Sequence, residues 1–160
     1  MESIKKYAPV LASVCGVFTL LMLFMPSVVM EVYGIQVSFS GFDTAFGCKM
    51  YVDGQTTEMF SFSFFNIMPW LLTAMGMVFC VMVTLEKAEK KCVYVATVLF
   101  LLAAIFFFLS VVCVSIPNAS SPDEVKSMMD LGAGAVFSGI FSLLSAGLTL
   151  TPLVLEKMGK

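Results

Sequence analysis

Four stretches of this chain, Tyr7–Met30, Phe64–Leu85, Cys92–Ile116 and Leu131–Leu155, contain no Asp, Glu or Lys. A helix rises 1.5 Å per residue, so about 20 apolar residues cross the hydrocarbon of a bilayer. All four runs reach that length, and together they make up well over half the chain. A soluble fold needs a polar face on each surface helix, which runs without charge do not supply. The pattern therefore predicts an all-α transmembrane four-helix bundle, a single integral membrane domain over residues 1–160. Composition agrees: 59% of residues are hydrophobic and 12% charged, where a soluble domain carries about 25% charged residues.

The same composition removes most chemistry. The chain has no histidine and no arginine. It therefore lacks an imidazole base, a His-ligated metal, a bidentate phosphate clamp and an arginine finger. The formal charge of −2 leaves no nucleic-acid footprint. Cys15, Cys48, Cys80, Cys92 and Cys113 form no C-x-x-C pair, so zinc knuckles, iron–sulfur clusters and thioredoxin-like sites lack their spacing. The expectation is a protein that is not an enzyme and carries no cofactor or metal.

Orientation follows from the lysines. With the N-terminus in the cytoplasm, seven of the nine lysines lie inside, three of them in the short turn Glu86–Lys91. Only Lys49 and Lys126 lie outside, which satisfies the positive-inside bias. Tyr7 and Tyr94 then fall at the inner boundary, and Tyr33 and Trp70 at the outer one. Lys5 and Lys6 precede the first apolar run as in a signal peptide. That run is too long for an h-region and no small-x-small site follows, so it reads as a retained anchor. Pro26 is expected to kink its outer end.

The first outer loop, Glu31–Ser63, is long enough to carry its own structure. Ile35, Val37 and Phe39 alternate with polar residues, and so do Phe60, Phe62 and Phe64. Between these stretches Asp53-Gly54 predicts a tight hairpin pairing Val52 with Gln55, Tyr51 with Thr56 and Lys49 with Glu58. The expected product is a small three-stranded antiparallel sheet on the outer face, its aromatic side resting on the helix ends. Asp43 is placed to cap a helical turn after the first strand. Phe42, Asp43, Phe46, Lys49 and Glu58 are the candidate interaction residues of this loop. Cys48 stands alone outside and is expected to form no intramolecular disulfide. In the second outer loop, Ser121-Pro122-Asp123-Glu124 reads as a capping box, starting a helix that runs toward the fourth span and bends at Gly132-Ala133-Gly134. Asn118-Ala119-Ser120 matches a glycosylation acceptor.

Two helix faces stand out. Ser138, Ser142, Ser145 and Thr149 put four hydroxyls on one side of the fourth span. Ala8, Ala12 and Gly16 form a small-xxx-small seam on the first. These faces are expected to meet inside the bundle; the alternative is that the hydroxyl stripe lines a pore in an oligomer.

Two helices joined by a sheet-bearing outer loop, then a second helical hairpin with both termini inside, resemble the claudin-like four-helix proteins in layout. The stretch Ser40-Gly41-Phe42-Asp43 to Phe46-Gly47 is similar to small bacterial four-helix membrane proteins of unassigned role. The first loop departs from the claudin signature, having no Trp and only Cys48. The resemblance implies an architecture and an assembly role. The expected function is that of an integral membrane structural or interaction protein, an accessory subunit of the cell envelope. Its expected partners are the bilayer and a membrane protein or a second copy, with no nucleic acid. The competing reading is an oligomeric channel or transporter subunit built on the Ser138–Thr149 face. A thiol oxidoreductase fails on its need for an exposed cysteine pair.

Overall fold

Pro26 decides how the first apolar run folds. Proline has no N–H to continue a helical ladder, and it pushes the preceding residue into extended backbone. In the computed structural model Met25 is extended, at φ −87° and ψ 157°. Helix α1 (Glu2–Leu21) accordingly stops early, a 3-10 turn over Met22–Phe24 closes it, and Pro26–Val32 forms strand β1. The expected span to Met30 and a mere kink at Pro26 are both corrected by this. The structure describes residues 2–32, 34–52, 55–89, 91–117 and 121–157. Tyr33, the Asp53-Gly54 turn and the Asn118–Ser120 acceptor lie outside them.

The remaining elements follow in order: β2 (Ile35–Ser40), α2 (Gly41–Phe46), β3 (Cys48–Val52), β4 (Gln55–Phe60), α3 (Phe64–Thr84), α4 (Cys92–Phe108), α5 (Pro122–Ser127), β5 (Met129–Leu131) and α6 (Ala133–Lys157). The chain is mostly helical with small antiparallel sheets. Three stretches, Tyr7–Phe24, Phe64–Thr84 and Ala133–Leu155, are long and apolar enough to cross a membrane. Helix α4 is shorter than the expected Cys92–Ile116. Beyond Phe108 the run carries Val111, Val112 and Val114, β-branched residues that form helix poorly, and Ser115 is drawn into an antiparallel bridge with Ser61. Turns continue its path, with Cys113 N–H donating to Leu109 O at 3.0 Å.

Among the long helices, α1 packs on α3 and α6, and α4 packs on the same two. Close approach depends on small residues. A Cβ on Gly76 of α3 would lie 3.0 Å from the ring of Phe100 of α4. Ala8, Ala12 and Gly16 of the expected seam are all buried.

The strands and short helices gather at one end as a cap, in a different arrangement from the one expected. One sheet runs β2-β1-β5; β3 and β4 form a second. The central strand β1 comes from the presumed first span. It pairs Val28 with Phe39 on one side and Val28 with Leu131 on the other. The hairpin register is the expected one: Lys49 opposite Glu58, Tyr51 opposite Thr56, Val52 opposite Gln55. The two sheets share an apolar core of Val28, Met30, Phe39, Phe60, Val114 and Met129. Of the second aromatic alternation only Phe60 is buried, at 1% exposure. The strand ends there, so Phe62 and Phe64 turn outward, against the expectation that all three would rest on the helices.

A helix does start at Pro122, but β5 interrupts it before α6, so it does not run into the fourth apolar segment. The Ser121 side chain makes no capping hydrogen bond; Ser121 contributes only its carbonyl, accepting from Val125 N–H at 3.3 Å. That part of the capping-box reading is corrected.

Candidate functional site

The five candidate loop residues come together around α2 and the β3–β4 hairpin. Helix α2 begins with a reciprocal cap. Asp43 N–H donates to Ser40 Oγ at 3.2 Å, and Ser40 N–H donates to Asp43 Oδ2 at 3.0 Å. Ser40 is thus the N-cap, and Asp43 supports it from the third helical position rather than capping alone. Thr44 Oγ1 donates to Gly41 O. The far end is closed from two directions: Ser63 N–H donates to Ala45 O at 2.9 Å, and Asn66 Nδ2 donates to Thr44 O at 3.2 Å. These bonds hold α2 beside the first two turns of α3.

Gly47 leaves α2 at φ 92° and ψ 153°, a region open essentially to glycine alone. A Cβ there would also meet Phe60 O at 2.9 Å. The turn directs the chain into β3 and opens a cleft of about 250 Å³ between Phe46, Phe62, Cys48 and the Lys49–Glu58 pair. Phe42 packs against Phe46 with ring centroids 4.6 Å apart and the rings tilted by 35°, so it flanks the cleft without lining it. Lys49 Nζ and Glu58 Oε1 are 3.7 Å apart and well exposed, a pair worth a few tenths of a kcal/mol. Burial pushes the Cys48 thiol above its usual range. The negative charge of Asp43 adds to this, while a hydrogen bond from the Phe60 backbone works against it. Cys48 is a free thiol, as are the other four cysteines.

The cleft is lined by the rings of Phe46, Phe60 and Phe62, by Cys48 and Ser61, and by one charge of each sign, Lys49 and Glu58. Among the described residues no group of three or more Cys, Asp or Glu is placed to hold a metal ion.

The four hydroxyls of α6 lie elsewhere, facing the other helices. Ser138, Ser142, Ser145 and Thr149 all have 0% exposure. Ser145 Oγ donates to Ala12 O of α1 at 3.0 Å. Thr149 Oγ1 lies 2.7 Å from Thr97 Oγ1 of α4. The hydroxyls of Ser138 and Ser142 have no partner among the described residues. Half of the stripe ties α6 to its neighbours, and the other half is small enough to let them close in.

Sequence reasoning missed Gly47, Phe62, Asn66 and the placement of Trp70. Trp70 packs edge-on against Phe107 with centroids 4.6 Å apart, and a Cβ on Gly41 would sit 3.0 Å from its Cζ2. The tryptophan therefore buttresses α2 from within. Phe46-Gly47 followed by alternating residues was the available signal for the turn; nothing local pointed to Asn66.

No family model, curated protein or solved structure matches this chain.

Proposed function

We propose that this chain is a multi-pass integral membrane protein of the cell envelope, a structural or accessory subunit and not an enzyme. It acts by binding a membrane protein or a second copy through its cap and helix faces. In this reading α1, α3, α4 with its continuing turns, and α6 span the bilayer as a four-helix bundle. Both termini and residues 86–91 lie in the cytoplasm, and the cap lies outside.

One observation carries the membrane reading. The outward faces of the long helices are apolar along their length, as at Leu11, Val14 and Phe18 of α1 or Leu71, Met75 and Val78 of α3, whereas the hydroxyls are turned inward. Water would select the opposite arrangement; hydrocarbon selects this one. The binding role rests on the loop residues gathered at the cap cleft and on a chain that contains no histidine and no arginine. The burial of the hydroxyl stripe within a single chain favours helix packing over a lumen shared between subunits.

Purification in mild detergent with mass identification of bound proteins tests the role. A stoichiometric membrane protein or a second copy is expected, lost when Lys49 and Glu58 are exchanged for residues of reversed charge. A monomer without a partner overturns it.

A further inference from the structure

We propose that α2 and the segment that follows β4 are seated in lipid, so that Phe42, Phe46, Phe62, Phe64 and Phe65 form a shelf embedded at the outer boundary of the bilayer. This rests on the membrane reading above and goes beyond it, because these residues belong to the loop rather than to a spanning run.

Three independent observations support it. The first is that α2 is inside out. A short surface helix in water hides its large apolar side chains and shows its polar ones. This one buries Gly41, Thr44 and Ala45 and turns Phe42 and Phe46 outward, each about half exposed. The second is height. Gly41 abuts Trp70, and Thr44 O accepts from Asn66 Nδ2. Trp70 is six residues into α3, about 9 Å along its axis. Helix α2 therefore lies level with the first two turns of α3, and its outward face meets whatever Phe64, Phe65 and Leu71 meet. The third is the backbone. Hydrocarbon supplies no hydrogen bonds, so a non-spanning segment survives at depth only if the protein satisfies its polar groups. The Ser40–Asp43 box takes donors at the start of α2, and Ser63 and Asn66 supply donors to its last carbonyls. Gly41 N–H is bonded as well, to Met25 O at 3.2 Å.

The shelf is continuous. Phe46 and Phe62 both line the cleft, and Ser63, between Phe62 and Phe64, is bonded to Ala45. From Phe60 through Leu85 the sequence contains no charged residue. The exposed Lys49–Glu58 pair, which also lines the cleft, marks where water begins. The five rings carry no charge, and the one carboxylate of α2, Asp43, is engaged by Ser40 N–H and Oγ; a lipid surface needs no charge to receive such a face.

The full-length protein in phosphatidylcholine vesicles tests this. Phe46→Trp and Phe62→Trp are made separately in a Trp70→Phe background, with Val78→Trp on the outward face of α3 as a check on the membrane reading. Lipids brominated near the headgroup end of the acyl chains should lower the emission at positions 46 and 62 by about twofold, as for an indole about 5–10 Å into the boundary. Aqueous iodide should have little effect there. Iodide quenching at 46 and 62 with lipid quenching at 78 overturns the proposal and leaves the membrane reading standing. Shielding from both quenchers at 46 and 62 overturns it in favour of a protein interface. Iodide quenching at 78 as well removes the membrane reading and the proposal together.

Discussion

Gly47 and the serines of α6 separate two kinds of small residue. Gly47 is needed for its backbone. Gly47→Ala places a side chain where φ is 92° and forces it against the Phe60 carbonyl, a strain of about 1–3 kcal/mol. A clear fall in the detergent melting temperature is the expected result. Ser142 is needed for its size. Its hydroxyl has no partner among the described residues, so Ser142→Ala should leave the melting temperature almost unchanged. Ser142→Leu should lower it, since overpacking a closed core costs about 1–3 kcal/mol. Ser145→Ala falls between them: it loses the bond to Ala12 O, worth about 0.6 kcal/mol in a membrane. Equal silence of all three variants would remove the stripe from the packing interface. At Cys48 the raised thiol pKa has a definite sign. Less thiolate is present at neutral pH than for a free cysteine, so alkylation should be slow near pH 7 and should accelerate above the ordinary thiol range. Mass-spectrometric rates across that range check it.

At the scale of elements, three prolines sit inside helices and one ends a helix. Pro9, Pro69 and Pro152 lie within α1, α3 and α6. Nearby hydroxyls supply bonds to two of the proline carbonyls, Ser13 to Pro9 O and Thr73 to Pro69 O. Pro26 is followed by Ser-Val-Val and a partner strand on each side, and there the chain leaves the helix. Helix contact depends on Gly76 at the crossing of α3 and α4. Gly76→Val pushes into the Phe100 ring and should destabilise the pair by about 1–3 kcal/mol, read as a melting shift larger than that of Gly147→Val, whose Cβ meets nothing within 4 Å. In the hairpin, a double-mutant cycle on Lys49 and Glu58 should return a coupling of about 0.2–1 kcal/mol that fades at high salt.

For the whole molecule the lysine distribution makes a topological prediction. In intact cells, with Cys48 replaced by Ser, an impermeant thiol reagent should label Gln55→Cys and leave Ala88→Cys untouched. The reverse pattern would invert the protein and place the cap in the cytoplasm, taking the outer-leaflet shelf with it. The cap also explains why the chain carries two separate loops at the same end of the helices. Strand β1 lies between β2, a few residues away, and β5, about a hundred residues later. The two helical hairpins are therefore clamped at one end by a shared sheet as well as by their own packing.

Much of this was legible in the sequence. Uncharged apolar runs marked the long helices, and a turn dipeptide between alternating residues set the register of the β3–β4 hairpin, because both signals are local. The burial of the hydroxyl stripe was legible for the same reason, from its helical spacing. The fate of Pro26–Val32 was not. A short, mostly apolar stretch reads equally well as the end of a span or as a buried strand, and the choice was made by partners at Ile35–Ser40 and Met129–Leu131. The outward turn of Phe62 and the placement of α2 beside Asn66 and Trp70 were decided in the same way. Helical hydrogen bonds close within four residues, so sequence alone determines where helices can form. Strand pairing and the seating of a short helix are closed by residues far along the chain, so only the tertiary structure settled them.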